Sequence, residues 1–269
     1  MKNLILICIL FQLSTIGFSQ SGSLSILTSG GGDKTNLRGL SLYRSGIIWV
    51  SGSKGQIGKT LDGGRSWNWY HPKGHESRDF RDIQALDAQT AIAIAVDTPA
   101  VILKTTDGGL SWKTVYANRA KGMFLDALDF SDASNGIVVG DPIAADRTDK
   151  HIFLARTKDG GDHWSSDQLP AQKEKIDTGE AFFAASGSNI HLSADGSFLL
   201  VSGGSKSRLW SDHGVISGLP LMQGKATTGA NGLAVYGKIV AVAGGDFMRS
   251  AAGDSSFAIS RDGGKTWVN

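Results

Sequence analysis

Cysteine is almost missing from this chain. Its one cysteine in 269 residues, Cys8, lies inside a short apolar stretch near the start. The body of the protein therefore has no thiol for a disulfide, a thiolate nucleophile or a cysteine-bound metal. Proline is scarce too, at 5 residues, which argues against long extended linkers. Neither sign of charge dominates. With 27 Lys and Arg against 25 Asp and Glu the formal net charge is +2, and no basic run interleaves with aromatics, so no nucleic-acid footprint is visible. No segment sustains a helical period. The apolar run from Leu4 to Phe11 is too short to span a bilayer comfortably.

What the chain has in excess is glycine, 36 of 269 residues, nearly twice the usual share. Many of these glycines sit in one recurring phrase. Thr60-Leu61-Asp62-Gly63-Gly64-Arg65-Ser66-Trp67 returns as Thr105-Thr106-Asp107-Gly108-Gly109-Leu110-Ser111-Trp112. It returns again as Thr157-Lys158-Asp159-Gly160-Gly161-Asp162-His163-Trp164 and as Ser260-Arg261-Asp262-Gly263-Gly264-Lys265-Thr266-Trp267. A damaged copy stands at Ser211-Asp212-His213-Gly214. The aspartates step by 45 (62 to 107), 52 (107 to 159), 53 (159 to 212) and 50 (212 to 262). A period near fifty residues marks stacked units that cannot bury a core singly.

An Asp-Gly-Gly run is a tight turn whose carboxylate can accept the turn's own amides. The tryptophan after it opens the returning strand and offers a large apolar surface between units. Asp62, Asp107, Asp159 and Asp262, with Trp67, Trp112, Trp164 and Trp267, therefore read as hairpin staples and not as catalysts. Between them lie short β-rich runs such as Ile47-Ile48-Trp49-Val50, Ala91-Ile92-Ala93-Ile94-Ala95, Ile137-Val138-Val139, Phe198-Leu199-Leu200-Val201 and Ile239-Val240-Ala241-Val242. Apolar middle strands bounded by Gly and Asp predict four-stranded blades covered on both faces.

The phrase resembles the Asp-box, Ser/Thr-x-Asp-x-Gly-x-Thr-Trp, of BNR-repeat propellers of sialidase, sortilin and photosystem II assembly-factor type. The Asp62, Asp107 and Asp262 copies match in full. The Asp159 copy has His163 in the hydroxyl position, and the Asp212 copy lacks the hydroxyl and the tryptophan. The resemblance implies an all-β propeller over nearly the whole chain, closest in kind to the photosystem II assembly-factor-like group. It does not choose a function, because enzymes, receptors and assembly factors share the box. Five units are visible, and the chain stops two residues after Trp267, where an outer strand should continue. The expectation is a fragment of a six- or seven-bladed ring. The alternative is a closed five-bladed ring in which Gly22 to Thr28 supplies the missing outer strand.

Residues 1–19 read as a secretory signal. Lys2 precedes the apolar run, and small or polar residues lead to Gly17-Phe18-Ser19-Gln20, with cleavage after Ser19. Residues 20–269 are then the propeller, exported to the periplasm or beyond, with no membrane span after cleavage.

A quieter repeat marks the candidate site. Leu37-Arg38-Gly39-Leu40 aligns with Phe80-Arg81-Asp82-Ile83 and Phe124-Leu125-Asp126-Ala127, then with Gly179-Glu180-Ala181-Phe182 and Ala230-Asn231-Gly232-Leu233. This gathers Arg38, Arg81, Asp82, Asp126, Glu180 and Asn231 on one rim of the axial channel, as a ligand site or as a self-neutralising lining. The planar forks of Arg38 and Arg81 suit an acidic group on a protein or glycan partner in the cell envelope. A sialidase-like glycoside hydrolase is the alternative. It requires three arginines, a tyrosine nucleophile with a glutamate partner, and an aspartate acid/base. No Arg-Ile-Pro signature is present, none of Tyr43, Tyr70, Tyr116 and Tyr236 falls on an inner strand, and a third arginine requires Arg208 or Arg249 to turn inward. No metal site or cofactor is expected. His71-Pro72-Lys73-Gly74-His75 is a loop, the Asp146 to Asp149 stretch is broken by Arg147, and Gly203-Gly204-Ser205-Lys206-Ser207 lacks phosphate-loop spacing. No dinucleotide, flavin, haem or quinone motif accompanies them.

Overall fold

The computed structural model describes residues 35–144, 150–167, 176–184, 187–249 and 253–269. The signal segment, the 22–28 strand and the 146–149 acidic stretch lie outside the described residues. Among the described residues every regular element is a strand, and no helix is long and apolar enough to cross a membrane.

The strands form five antiparallel blades in chain order, as the periodicity predicts. Blade 1 is β1 (Leu37–Leu42), β2 (Ile48–Gly52), β3 (Ile57–Thr60) and β4 (Asn68–Tyr70). Blade 2 is β5 (Phe80–Ala85), β6 (Ala91–Ala95), β7 (Ala100–Thr105) and β8 (Lys113–Asn118). Blade 3 is β9 (Leu125–Phe130), β10 (Gly136–Ala144), β11 (Lys150–Thr157) and β12 (Ser165–Asp167). In blade 4 the inner strand is β14 (Ile190–Leu192) and the second is β15 (Phe198–Val201), while the short pair β13 (Glu180–Ala181) and β16 (Gly203–Gly204) joins the sheet of the next blade, Gly203 pairing with Gly229. Its outer strands are β17 (Arg208–Ser211) and β18 (Gly214–Gly218). Blade 5 is β19 (Thr228–Tyr236), β20 (Ile239–Asp246) and β21 (Phe257–Ser260), and Val268 alone pairs with the outer edge of β21, at Ile259.

Each blade buries its core against the next. In β6, Ala91, Ala93 and Ala95 face Trp49 and Ile57 of blade 1, while Ile92 and Ile94 face Leu125, Val138 and Phe153 of blade 3. Blades 3 and 4 meet through Ile137, Val139, Leu154, Leu200 and Trp210, and blades 4 and 5 through Leu209, Leu233, Val240 and Val242. A strand has one residue for each face in alternation, so a strand buried on both faces reads as a continuous apolar run.

The boxes are one turn built four times. Thr105 Oγ1 donates to Asp107 Oδ1 at 2.8 Å and accepts the Gly109 amide at 3.0 Å. The same carboxylate accepts the Ser111 amide at 2.9 Å and the Ser111 hydroxyl at 2.6 Å. Asp62 and Asp262 repeat these bonds with Ser66 and Thr266. At Asp159, His163 Nδ1 takes the hydroxyl's place at 2.7 Å, so this departure from the motif keeps the geometry. Both glycines of each box lie at positive φ, for example 76° and 97° at Gly108 and Gly109, where a side chain would be strained. In the damaged copy Ser211 Oγ reaches only the Gly214 carbonyl, at 3.2 Å, and the His213 amide, at 3.1 Å.

Polar ties join the blades as well. The basic residue just before a box hydroxyl reaches the following blade in three cases. Lys59 Nζ donates to Ala88 O at 2.6 Å, Lys104 Nζ pairs with Asp162 at 2.8 Å, and Arg156 Nη1 donates to Gly196 O at 3.0 Å.

The full box and its damaged copy should differ in weight. Thr105→Val keeps the shape but leaves the buried Gly109 amide without its acceptor, a loss of about 1–3 kcal/mol. Ser211→Ala removes two longer bonds and should cost less than about 1 kcal/mol. Urea unfolding of the two variants measures both, and equal losses would mean that the full box adds nothing to the turn.

Candidate functional site

The first strands β1, β5, β9, β14 and β19 touch one another in succession and so line the axis. An inner edge strand leaves amides that no fifth strand can take, and side chains of the preceding blade take several of them. Ser41 Oγ accepts the Ala85 amide at 3.0 Å and Asp82 Oδ2 the Leu128 amide at 2.9 Å. Asp129 Oδ2 accepts the Leu192 amide at 2.7 Å and Ser207 Oγ the Ala230 amide at 2.9 Å.

Four inner strands break register at one shared place. Leu37 pairs with Gly52 but Gly39 with Ser51, leaving Arg38 as a β-bulge. Phe80 pairs with Ala95 and Asp82 with Ile94, leaving Arg81. Leu125 pairs with Gly140 and Ala127 with Val139, leaving Asp126. Ala230 pairs with Gly244 and Gly232 with Ala243, leaving Asn231. A bulge releases one residue from the ladder and re-aims its side chain. Blade 4 has a loop where the others have one residue. Ala181 pairs with Gly203 and Ile190 with Leu200, and 182–189 stand between them.

This geometry sorts the six residues expected on the rim. Arg38, Arg81, Asp126 and Asn231 share the bulge position. Arg38 is half-buried, and its Nε has no hydrogen-bond partner among the described residues. The Arg81 fork is held by Asp79, at 2.9 Å from Nε and 2.8 Å from Nη2, donates to Ala184 O at 3.2 Å, and stands 5.5 Å over the Phe124 ring. Asp126 is fully buried, and neither carboxylate oxygen meets a donor in bonding geometry among the described residues. Burial first, and the Asp141 carboxylate second, push its pKa well above the usual range, with Arg81 pulling the other way. The nearby Asp141 amide is already bonded to Phe124 O at 3.0 Å and so lends little support.

Asn231 borders a cavity of about 310 Å³ lined also by Asp246, Phe247, Arg249 and Ser256. Asp82 and Glu180 do not join this set. Asp82 lies one residue past the bulge, and its carboxylate holds the Ile83 amide at 2.8 Å besides that of Leu128. Burial drives its pKa up to about 8. Glu180, on β13, is bound to side chains of blade 4. Its carboxylate accepts Arg208 Nε at 3.0 Å and also Arg208 Nη2, with the Ser202 hydroxyl at 2.5 Å and the Asp177 amide at 3.1 Å. Arg208 in turn stacks 4.3 Å from Trp210. Asp79, Asp141 and the 182–189 loop are neighbours that sequence alignment did not point to, because they lie just outside the inner strands or in the insertion. Among the described residues no group of three or more His, Cys, Asp or Glu could hold a metal.

Opposite pKa shifts set a pH profile. The box carboxylates lie below the ordinary range, led at Asp107 by the Ser111 hydroxyl, which holds it at about 2. Their contribution is full above the unfolded value near ~3.9 and is lost as pH falls. Asp82, Asp126 and Asp129 are raised, burial being the first cause in each. The folded state then holds protons that the unfolded chain has lost, so stability falls as pH rises from about 4 to about 8. Thermal unfolding should give a maximum in mildly acidic buffer, and Asp126→Asn should flatten the fall on the alkaline side. An unchanged slope in that variant would remove Asp126 as a cause.

The family model for Photosynthesis system II assembly factor YCF48 matches residues 34–218. No curated protein matches. Among solved structures, YCF48 bound to D1 peptide is 19% identical, with 87% of this chain and 81% of that chain covered and a TM-score of 0.46. YCF48 from Cyanidioschyzon merolae is 19% identical over 87% of this chain and 84% of that one, at 0.44. Penicillium chrysogenum alpha-L-arabinanase complexed with arabinobiose is 11% identical over 86% and 80%, at 0.55, a likeness of fold.

Proposed function

The chain belongs to the Photosynthesis system II assembly factor YCF48 family, and from that membership we propose that it is an exported binding and assembly module whose axial rim receives a protein partner in the cell envelope. The observation that carries this reading is the bulge repeated in four inner strands, which brings Arg38, Arg81, Asp126 and Asn231 to one level. A bulge costs ladder bonds and an unpartnered buried carboxylate costs more. Repeating the first and adding the second at one level fits a surface shaped for a ligand better than it fits a scaffold. Arg38 and Arg81 grip an acidic group of the partner, with Arg81 pre-oriented by Asp79. Family membership favours a protein over a glycan. The hydrolase alternative loses support because Glu180 and Asp82 are both committed to internal partners.

The test is affinity capture from an envelope extract, with the natural protein beside an Arg38→Ala/Arg81→Ala double variant of equal thermal stability. Loss of a charge-assisted grip of about 1.5–3 kcal/mol should cut the retained partner about tenfold or more. Equal retention by both proteins would remove the arginine rim from the account. Sugar bound or released in place of a captured protein would favour the glycan or hydrolase reading.

A further inference from the structure

The blade 4 insertion meets blade 2 at two consecutive residues of β5, and the two contacts differ in kind. Ala184 O accepts Arg81 Nη1 at 3.2 Å. Gly187 lies against the carboxyl group of Asp82, and a Cβ built on it would overlap Cγ and both oxygens of that group. A clash with the tip of a side chain is ordinarily relieved by moving the tip. Asp82 cannot yield in that way. It is buried, and its oxygens hold the Ile83 amide of its own strand at 2.8 Å and the Leu128 amide of the next blade at 2.9 Å. Gly187 also has a φ of 69°, in the left-handed region that favours glycine. Beyond it the chain is fixed, since Ser188 O takes the Leu233 amide of blade 5 at 2.7 Å and Asn189 is fully buried. A side chain at 187 would therefore have to be accommodated on the Ala184 side.

We propose that Gly187 is a positioning residue for Arg81: without a side chain there the insertion settles on Asp82, and this sets Ala184 O against the guanidinium. The consequence for binding, though not the positioning itself, rests on the reading of Arg81 as a residue that grips the partner. Three of the five N–H groups of an arginine are taken here. Asp79 Oδ2 accepts Nε at 2.9 Å and Nη2 at 2.8 Å, and Ala184 O accepts one from Nη1. The centroid of the Phe124 ring lies 5.5 Å from Cζ. The fork is thus held on two edges and one face, with two N–H groups left for an acid. Ordering a long side chain in advance spares a partner about a two- to tenfold loss of affinity.

Nitrogen-15 NMR of the arginine side chains in the whole chain tests this, with Arg81→Lys identifying the Arg81 signals. In the natural protein the Nη1 protons of Arg81 should be resolved and slow to exchange. Gly187→Ala should speed their exchange about tenfold or more, while the Nε–H held by Asp79 keeps its shift. Gly196→Ala is the control for backbone strain alone. Gly196, in the turn between β14 and β15, has a φ of 84° and nothing within 4 Å of a built Cβ, so both signals should stay in place. Averaged Nη1 signals in the natural protein overturn the proposal, whatever the variants do. So does an unchanged Nη1 in Gly187→Ala, a change that takes Nε with it, or the same effect from Gly196→Ala. Affinity capture with Gly187→Ala then separates the two claims. If Nη1 loosens and retention falls, both stand; if Nη1 loosens and retention does not fall, Gly187 positions Arg81 and the gripping role of Arg81 is what fails.

Discussion

A four-stranded sheet has two faces and can bury neither by itself. Everything else in this protein follows from that constraint. Ala91, Ala93 and Ala95 on one side of β6 and Ile92 and Ile94 on the other are buried only because blades 1 and 3 stand there. Stability is therefore a property of neighbours, as in other stacked-repeat proteins. The polar ties serve the same end. Ser41, Asp82, Asp129 and Ser207 take amides that the inner edges would otherwise leave open to water.

The boxes solve a different problem, the tightness of the outer turn. A carboxylate that accepts two amides or hydroxyls within its own hairpin is held ionised by those donors and needs no distant partner. That local closure explains why the motif survives a change from hydroxyl to imidazole at His163, which still donates to Asp159. It also explains why the box says so little about function, since its central carboxylate is taken up by the turn itself.

Legibility in the sequence tracked locality. The box turns, the five units and their order were readable because each box closes within seven residues or so of its own backbone, and apolar runs report burial on both faces directly. The rim was readable only in part. Arg38, Arg81 and Asn231 fall on the bulge where the aligned units place them. Asp126 does too, but the alignment set Phe124 opposite Leu37, one residue early, whereas the ladder sets Leu125 there. Asp82, aligned as a rim residue, is the one after the bulge. Glu180 was out of reach for a clearer reason. Its partner Arg208 lies 28 residues away on another strand, and the inserted 182–189 loop hides the register that would have linked them. Periodicity specifies which residues are buried; it does not specify which buried charges find each other.

The insertion in blade 4 and the bulges in the other blades are two versions of one event. Each interrupts the inner ladder between the same pair of levels, so chain added there leaves the blade beneath undisturbed. In blade 4 the described residues of the insertion reach three other blades: Ala184 O meets Arg81 of blade 2, the Phe182 amide meets Asp141 of blade 3 at 3.0 Å, and Ser188 O takes the Leu233 amide of blade 5 at 2.7 Å. These contacts tie the insertion to Arg81, Asp141 and Leu233 on three separate blades. Displacing Ala184 from Arg81 would also load the contacts to blades 3 and 5, since all three run through the same short stretch of chain.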